Sequence, residues 1–415
     1  MSDDEADPEL LELLRQSLGL GKKNGPPPAP ETKVLQNARF IFDNAIDVAL
    51  DPRSTKAAAR TIWQQMQEKH YSTKSWSAHE LHPKSKDEGT VDFILTMDLL
   101  NFSFWSDETD ESKRFAIEYR GQKWTGYWSL VAALQRALDE DIPITSPDFW
   151  LDEDALTEDV LRHVFRSATD EQIPLFEERL ECLREAGRVL DEKFDGSFIN
   201  CIYDANQSAA ALVNLLAENF ACFRDEALFD GRKVRFYKRA QILVADLWAS
   251  FEGESFGEFH DIENITMFAD YRIPQILNQL GCLLYSPPLE SQIRRLQPIE
   301  GGSTREIEIR GASIWCVELI RQEINRLHSE SQTATNSSRH SLDIDRNGQQ
   351  ISNLEAKTAA MTISDGKTQD ENENGNGNSR VNAILIDFFL YDTMKELERD
   401  GRETIPHHRT RSIWY

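Results

Sequence analysis

Aspartate 270 stands in an island of polar and aromatic residues, Thr266-Met-Phe268-Ala-Asp270-Tyr271-Arg272-Ile-Pro274, and Pro274 opens the apolar stretch that follows. A carboxylate at such a junction ordinarily caps a helix or pairs with an arginine. A second island, Leu385-Ile-Asp387-Phe388-Phe389-Leu-Tyr391-Asp392, sets two carboxylates into a strongly apolar helical pattern. Burying an ionised carboxylate is costly, so Asp387 and Asp392 each require an arginine, a backbone donor or a ligand. Arg232, Lys233, Arg235, Lys238 and Arg239 crowd the entrance to another helix. Cations beside free helix N–H groups suit a single phosphate, although the spacing fits a solvated basic face or a nuclear-import patch equally well. Arg239 and Asp246 lie seven apart on one helical face, so Asp246 reads as a group that orders the cluster.

Two further segments add recognition surface. In Asp98-Leu-Leu-Asn101-Phe102-Ser103-Phe104-Trp105 an extended chain places Phe102 and Phe104 on one face and Asn101, Ser103 and Trp105 on the other. Such a face serves a core or walls a planar base. His79 and His82 sit three apart in Trp76-Ser-Ala-His79-Glu80-Leu-His82-Pro83 without other metal-ligand spacing; at most one donates to a ligand. The sequence closes on His407-His408-Arg409-Thr-Arg411-Ser-Ile-Trp414-Tyr415. Two final aromatics are expected to dock on the body, which brings Arg409 and Arg411 within reach of the carboxylates or of a phosphate.

The elements that must carry these groups are mostly helical. Apolar residues recur at helical spacing over residues 38–50, 56–67, 128–138, 156–165, 175–194, 208–219, 237–251, 314–327 and 382–397. Thr157 with Glu158 and Asp159 marks a helix start, as does Pro174; Gly196 marks a stop. Strand character is confined to residues 91–96, 101–105, 114–119 with 123–125 across Gly121, and 306–310. The expectation is a mainly α protein with a small antiparallel sheet.

Residues 1–32 carry no aromatic side chain and end in Pro26, Pro27, Pro28 and Pro30, which reads as a disordered acidic, Pro-rich leader; Leu10, Leu13, Leu14 and Leu18 within it have helical spacing. Residues 329–380 are rich in Ser, Thr, Asn, Gln and Asp and read as a disordered insertion. Residues 33–328 and 381–415 then form a single domain.

Composition narrows the function classes. Over 415 residues, 46 Lys and Arg face 71 Asp and Glu, a net charge of −25, which argues against a nonspecific nucleic-acid binder. Five scattered cysteines without a CxxC pair read as reduced, packed thiols, and no apolar run is long enough to span a membrane. The acidic start differs from a secretory or mitochondrial signal, so a cytoplasmic protein, also compatible with the nucleus, is expected. P-loop, dinucleotide-fold, HExxH, CxxC and GxSxG motifs are all missing.

The joint order of the islands is more specific than any one of them. Residues 96–105, Gly126-Tyr-Trp-Ser129, Ile142-Pro-Ile-Thr145, Phe236-Tyr-Lys-Arg-Ala-Gln-Ile-Leu-Val-Ala-Asp246, Met267-Phe-Ala-Asp-Tyr-Arg272, Glu308-Ile-Arg-Gly311 and His408-Arg-Thr-Arg411 together closely resemble the queuosine salvage protein family. The sequence departs from it at His407, where members carry Phe, and at Phe388 and Phe389, where Tyr is common. The resemblance implies a single helical domain similar to helical DNA glycosylases. It also implies hydrolysis of the N-glycosidic bond of queuosine 5′-monophosphate, with release of queuine for reinsertion into tRNA. Asp270 then matches the catalytic carboxylate, His79 and Phe268 match base-contacting positions, and Asp387 and Asp392 match the acidic helix at the base. Phe104 and Trp105 would sandwich the ring, and Arg272 belongs to the same motif. Lys238, with Arg239 or with Arg409 and Arg411, would clamp the phosphate. No metal or other cofactor, no stable nucleic-acid partner and no membrane are expected. The alternative is a noncatalytic nucleotide- or tRNA-binding module built on the basic stretch and the aromatic segment.

Overall fold

The computed structural model describes residues 29–342 and 381–415, except for the side chains of Ser75 and residues 330–342. The leader up to residue 28 and the insertion from 343 to 380 lie outside the described residues.

In chain order the first half contains α1 (Val34–Asp43), β1 (Val48–Leu50), α2 (Pro52–Glu68), α3 (Lys74–Ala78), α4 (Glu88–Leu99), β2 (Ile117–Tyr119), β3 (Gln122–Trp124), α5 (Tyr127–Asp139), α6 (Pro147–Leu151), α7 (Glu158–Val164), α8 (Phe176–Lys193) and α9 (Phe198–Asp204). The second half contains α10 (Ala209–Asn219), β4 (Glu226–Phe229), β5 (Arg232–Arg235), α11 (Lys238–Ser250), α12 (Arg272–Gln279), β6 (Leu283–Tyr285), α13 (Pro287–Arg294), α14 (Thr304–Leu342) and α15 (Ala383–Arg399). The molecule is mainly helical, and the described strands form three two-stranded antiparallel ladders, β1 with β6, β2 with β3 and β4 with β5. The expected Gly121 hairpin is the β2–β3 ladder, with Ile117 opposite Trp124.

Local chemistry explains the helix starts. Asp51 accepts from Ser54 N at 2.7 Å with Pro52 in the first turn of α2, and Thr157 accepts from Val160 N at 3.2 Å ahead of α7. Each side chain satisfies an N–H that the helix itself leaves unpaired. Helices α4 and α11 run through the buried interior and pack on each other, while α14 packs against α1 and α2, and α12 against α15.

Three expected strands are not strands. Residues 91–96 lie inside α4, whose residues from Thr90 to Leu99 are all buried except Asp92. An element apolar on every side shows no stripe, and its β-branched residues mimic a strand. Residues 306–310 belong to α14: Glu306, Glu308 and Arg310 alternate with isoleucines because both sets are buried, the charged ones against partners. Residues 101–105 are irregular, with Ser103 at φ 57°, which breaks the expected face alternation. The first expected helix stops at Asp43, and residues 48–50 instead pair with a strand far along the chain. Helix α14 begins ahead of the expected 314 and continues through Leu342, into the polar stretch read as an insertion.

Helices α1 and α14 meet at Gly311, where an added Cβ would lie 2.5 Å from Ile41 Cγ2 and 2.7 Å from Ile41 Cβ. Overpacking of this kind costs about 1–3 kcal/mol. Gly311→Ala is accordingly expected to shift the urea midpoint down, and an unchanged midpoint would show that α1 yields freely.

The tail docks as expected. Tyr415 is buried, its hydroxyl donates to Glu306 Oε1 at 2.7 Å, and its carbonyl accepts from Ser103 N. Ile299 N donates to Arg409 O at 2.8 Å. All five cysteines are buried and none is in a disulfide. Among the described residues no helix is long and apolar enough to cross a membrane, and no group of three or more His, Cys, Asp or Glu side chains could hold a metal ion.

Candidate active site

A cavity of about 300 Å³ opens between α3, α5, α11, α12 and α15. Its walls bring together His79, Phe104, Lys238, Phe268, Asp270, Arg272, Asp387 and Asp392, residues scattered over most of the chain.

Asp270 immediately precedes α12. Its Oδ1 accepts the N–H groups of Arg272 and Ile273, both at 2.9 Å, so the carboxyl caps the helix through one oxygen. Its Oδ2 has no hydrogen-bond partner among the described residues, and the residue lines the cavity. Burial pushes the Asp270 carboxyl above its ordinary value, against the opposing pull of the Lys238 charge and the two N–H donors. The helix end favours the anion as well. Capping and exposure to a ligand, alternatives in the sequence, therefore coexist on separate oxygens.

The segment carrying Asp270 is held from both sides. Asp387 Oδ2 accepts from Phe268 N at 3.0 Å, and Arg310 Nε donates to Ala269 O at 3.3 Å. Arg310 also grips Asp225 with two nitrogens, Nη1 at 2.8 Å from Oδ1 and Nη2 on Oδ2. Asp225 Oδ2 in turn accepts from Lys238 N at 3.1 Å. One buried guanidinium thus sets the relative position of the segments bearing Lys238 and Asp270. Burial lowers the Lys238 ammonium to about 8, with the Asp270 charge opposing the shift.

Asp387 sits on the inward face of α15. Burial, reinforced by the neighbouring Asp270 charge, drives its carboxyl well above the usual carboxylate range. Asp392, one turn further on, is more exposed and accepts the Tyr71 hydroxyl at 2.6 Å. Lys395 lines the same end of the cavity and shares Glu398 with Arg272.

The aromatic wall is built from stacked pairs. His79 lies on Trp128 with ring centroids 3.3 Å apart, and His82 on Trp76 at 3.8 Å. His82 Nδ1 donates to Trp76 O at 2.8 Å, so its Nε2 accepts from the Tyr127 hydroxyl at 2.8 Å; burial lowers this imidazole to about 3 and keeps it neutral. Burial also lowers the pKa of His79.

Four sequence-based expectations are corrected here. Arg239 is buried and donates to the carbonyls of Asp98, Leu99 and Cys222, which commits its guanidinium to the backbone. Trp105 does not line the cavity: its indole N–H is bonded to Thr410 O at 3.0 Å and its face carries Arg411 at 3.5 Å. Arg409 and Arg411 also lie outside the cavity lining, both paired with Asp107. Asp246 does not order Arg239; it faces the cavity and accepts from Trp76 Nε1 at 3.0 Å.

Asp246, Trp76, Tyr127, Trp128, Tyr71, Tyr391 and Lys395 also line the cavity and were not singled out as site residues from sequence. Asp246 had a legible signal, an acid interrupting an apolar helix, the same one that marked Asp387.

The model of the family described as "Queuosine salvage protein" matches residues 81–415. A Schizosaccharomyces pombe protein named queuosine 5′-phosphate N-glycosylase/hydrolase is 41% identical over 397 residues, covering 92% of this chain and 100% of its own. Proteins of the same name are 38% identical in Mus musculus over 392 residues, 94% of this chain and 100% of that one, and 34% identical in Sphaerobacter thermophilus over 388 residues, 94% and 99%.

Proposed function

The chain belongs to the queuosine salvage protein family, and on that footing we propose that it hydrolyses the N-glycosidic bond of queuosine 5′-phosphate, releasing queuine for salvage into tRNA. The observation that carries the mechanism is the divided carboxyl of Asp270, one oxygen anchored on the α12 N–H groups and the other unpaired in the cavity beside Lys238.

Cleavage of a ribosyl C1′–N bond develops positive charge on the sugar, and water adds to C1′ as a proton goes to the departing base. A fixed carboxylate against C1′ stabilises that oxocarbenium ion or captures it, and Asp270 takes this role. It needs no reorganisation, because its capping bonds already orient it. The 7-deazaguanine base has no N7 to protonate, so the leaving electrons must be accommodated through its other edges. Asp387, whose carboxyl burial holds above the usual range, offers the base an acceptor and, when protonated, a donor, and Asp392 offers a second acceptor. Phe268, Phe104 and His79 supply faces for the ring.

Lys238 and Arg272 are the cations that act on the Asp270 charge, so they are assigned to the 5′-phosphate. Lys395, at the same end as Arg272, supplements them. A cytoplasmic or nuclear location is proposed with this activity.

The direct test mixes purified protein with queuosine 5′-phosphate and follows free queuine by mass spectrometry. Release of queuine and ribose 5-phosphate in equal amounts is expected. Tight binding without release would overturn the hydrolase in favour of a binding module.

A further inference from the structure

The reaction leaves one buried acid of the cavity without a task. Asp246 is 4% exposed and lies on α11, and its Oδ1 holds the Trp76 indole N–H at 3.0 Å. Its Oδ2 has no hydrogen-bond partner among the described residues. Behind it, Asp98 is fully buried, accepts from Asn101 Nδ2 at 3.1 Å, and leaves its Oδ2 unpartnered. The charges of Asp98 and Asp387 both bear on Asp246, and that of Asp270 bears on Asp387. The carboxyls are carried by α4, α11, α15 and the segment ahead of α12, and those of Asp246, Asp387 and Asp270 line one cavity. Of the cations lining the cavity, Lys238 acts on Asp98, Asp387 and Asp270 and Arg272 on Asp270, while Arg239, outside the lining, acts on Asp98; none of them acts on Asp246. Asp246 Oδ2 and Asp98 Oδ2 are thus buried carboxyl oxygens without a donor among the described residues, and a cationic donor from a ligand in the cavity would satisfy the one on its wall.

The surroundings of Asp246 say which cation. Trp76, the donor to Asp246, stacks on His82, and Tyr127 and Trp128 contact His82 and each other, at 4.9 Å between the latter two, so the four rings form one aromatic cluster in the lining that carries Asp246. A carboxylate within a box of aromatic faces suits an alkylammonium, whose N–H groups reach the acid while its CH₂ groups lie on the rings. The guanine edge, with two N–H donors and little charge, has no need of that box.

We propose that Asp246, backed by Asp98 and framed by Trp76 and Tyr127, forms a subsite for a secondary alkylammonium, and that it selects the aminomethyl arm carried by the base of the substrate. This rests on the reading that the cavity takes queuosine 5′-phosphate. Asp270 works on the sugar; Asp246 reads the far end of the base. Its role is specificity, exerted on the arm and not on the bond that breaks.

The test compares queuosine 5′-phosphate with 7-deazaguanosine 5′-phosphate, which lacks the arm. For Asp246→Asn the ratio of kcat/KM between the two substrates is expected to fall about 10- to 100-fold, mostly through KM, the worth of one charge-assisted hydrogen bond. An equal loss on both substrates would overturn the subsite. Because a change at a buried position can impair folding, the wild-type protein supplies a second measurement with two bases of similar size. Cationic 7-aminomethyl-7-deazaguanine is expected to bind at least about tenfold tighter than neutral 7-cyano-7-deazaguanine in calorimetric titration. Equal affinities would overturn the proposal even with active enzyme. If the wild-type protein releases no base while the cationic base still binds preferentially, the subsite stands and the hydrolase reading falls.

Discussion

Asp270→Asn is expected to lower kcat roughly 10³-fold while the protein stays folded and still binds queuine. The amide keeps an oxygen that can accept from the N–H groups of Arg272 and Ile273, so the α12 cap survives. What disappears is the negative charge proposed to act on C1′. Single-turnover release of queuine, with calorimetric binding of the free base, separates the two effects; full turnover by the variant would remove Asp270 from the chemistry. The pH profile of the wild-type enzyme carries the same signature. Burial raises the Asp270 carboxyl, so kcat/KM falls on the acid side above the ordinary carboxylate value as the anion is lost. Lys238 titrates at about 8, so KM for the phosphorylated substrate rises as its charge is lost above that pH. Asp270→Asn removes the acid limb and leaves the alkaline one.

Arg310→Met is expected to destabilise the fold by about 3–5 kcal/mol, because it strands Asp225 and Glu306 as buried acids. The guanidinium bonds Asp225 and the Ala269 carbonyl and lies over Phe236 with its centre 3.9 Å from the ring. Methionine fills part of that volume but satisfies none of those acceptors. Urea denaturation should show the loss, and the double change Arg310→Met with Asp225→Leu should recover part of it, since both charges are then gone. A double variant whose loss is the sum of the two single losses would mean that the pair is not coupled. Variants that remain folded should also lose turnover, as Arg310 and Asp225 fix the segments bearing Asp270 and Lys238.

The helices with one apolar stripe were legible, including α2, α5, α7 and α8, to within a few residues, because a half-buried helix must alternate its faces with period 3.6. Helix α4 was misread for the opposite reason, being buried all round. The alternation of Glu306, Ile307, Glu308, Ile309 and Arg310 pointed to a strand because exposure of the charged face was assumed, whereas each charge has an internal partner. The pairing of β1 with β6 joins distant segments of three residues each, too short to carry a periodic signal.

Residue types by themselves determined that Asp270, Asp387 and Asp392 needed partners; the family resemblance added His79, Phe104 and Phe268, and all six line one cavity. Sequence by itself also determined the mainly helical class and the docked tail, since both follow from where apolar side chains recur. Only the tertiary structure decided which cations serve the cavity, separating Lys238 and Arg272 from Arg239, Arg409 and Arg411. It likewise decided that Asp246 lines the cavity, bonded to Trp76 and not to Arg239. A charge declares in sequence that it needs a counterpart, but several counterparts of equal chemistry are on offer along the chain. The choice among them is made by packing, which decides which of them come within a hydrogen bond's length.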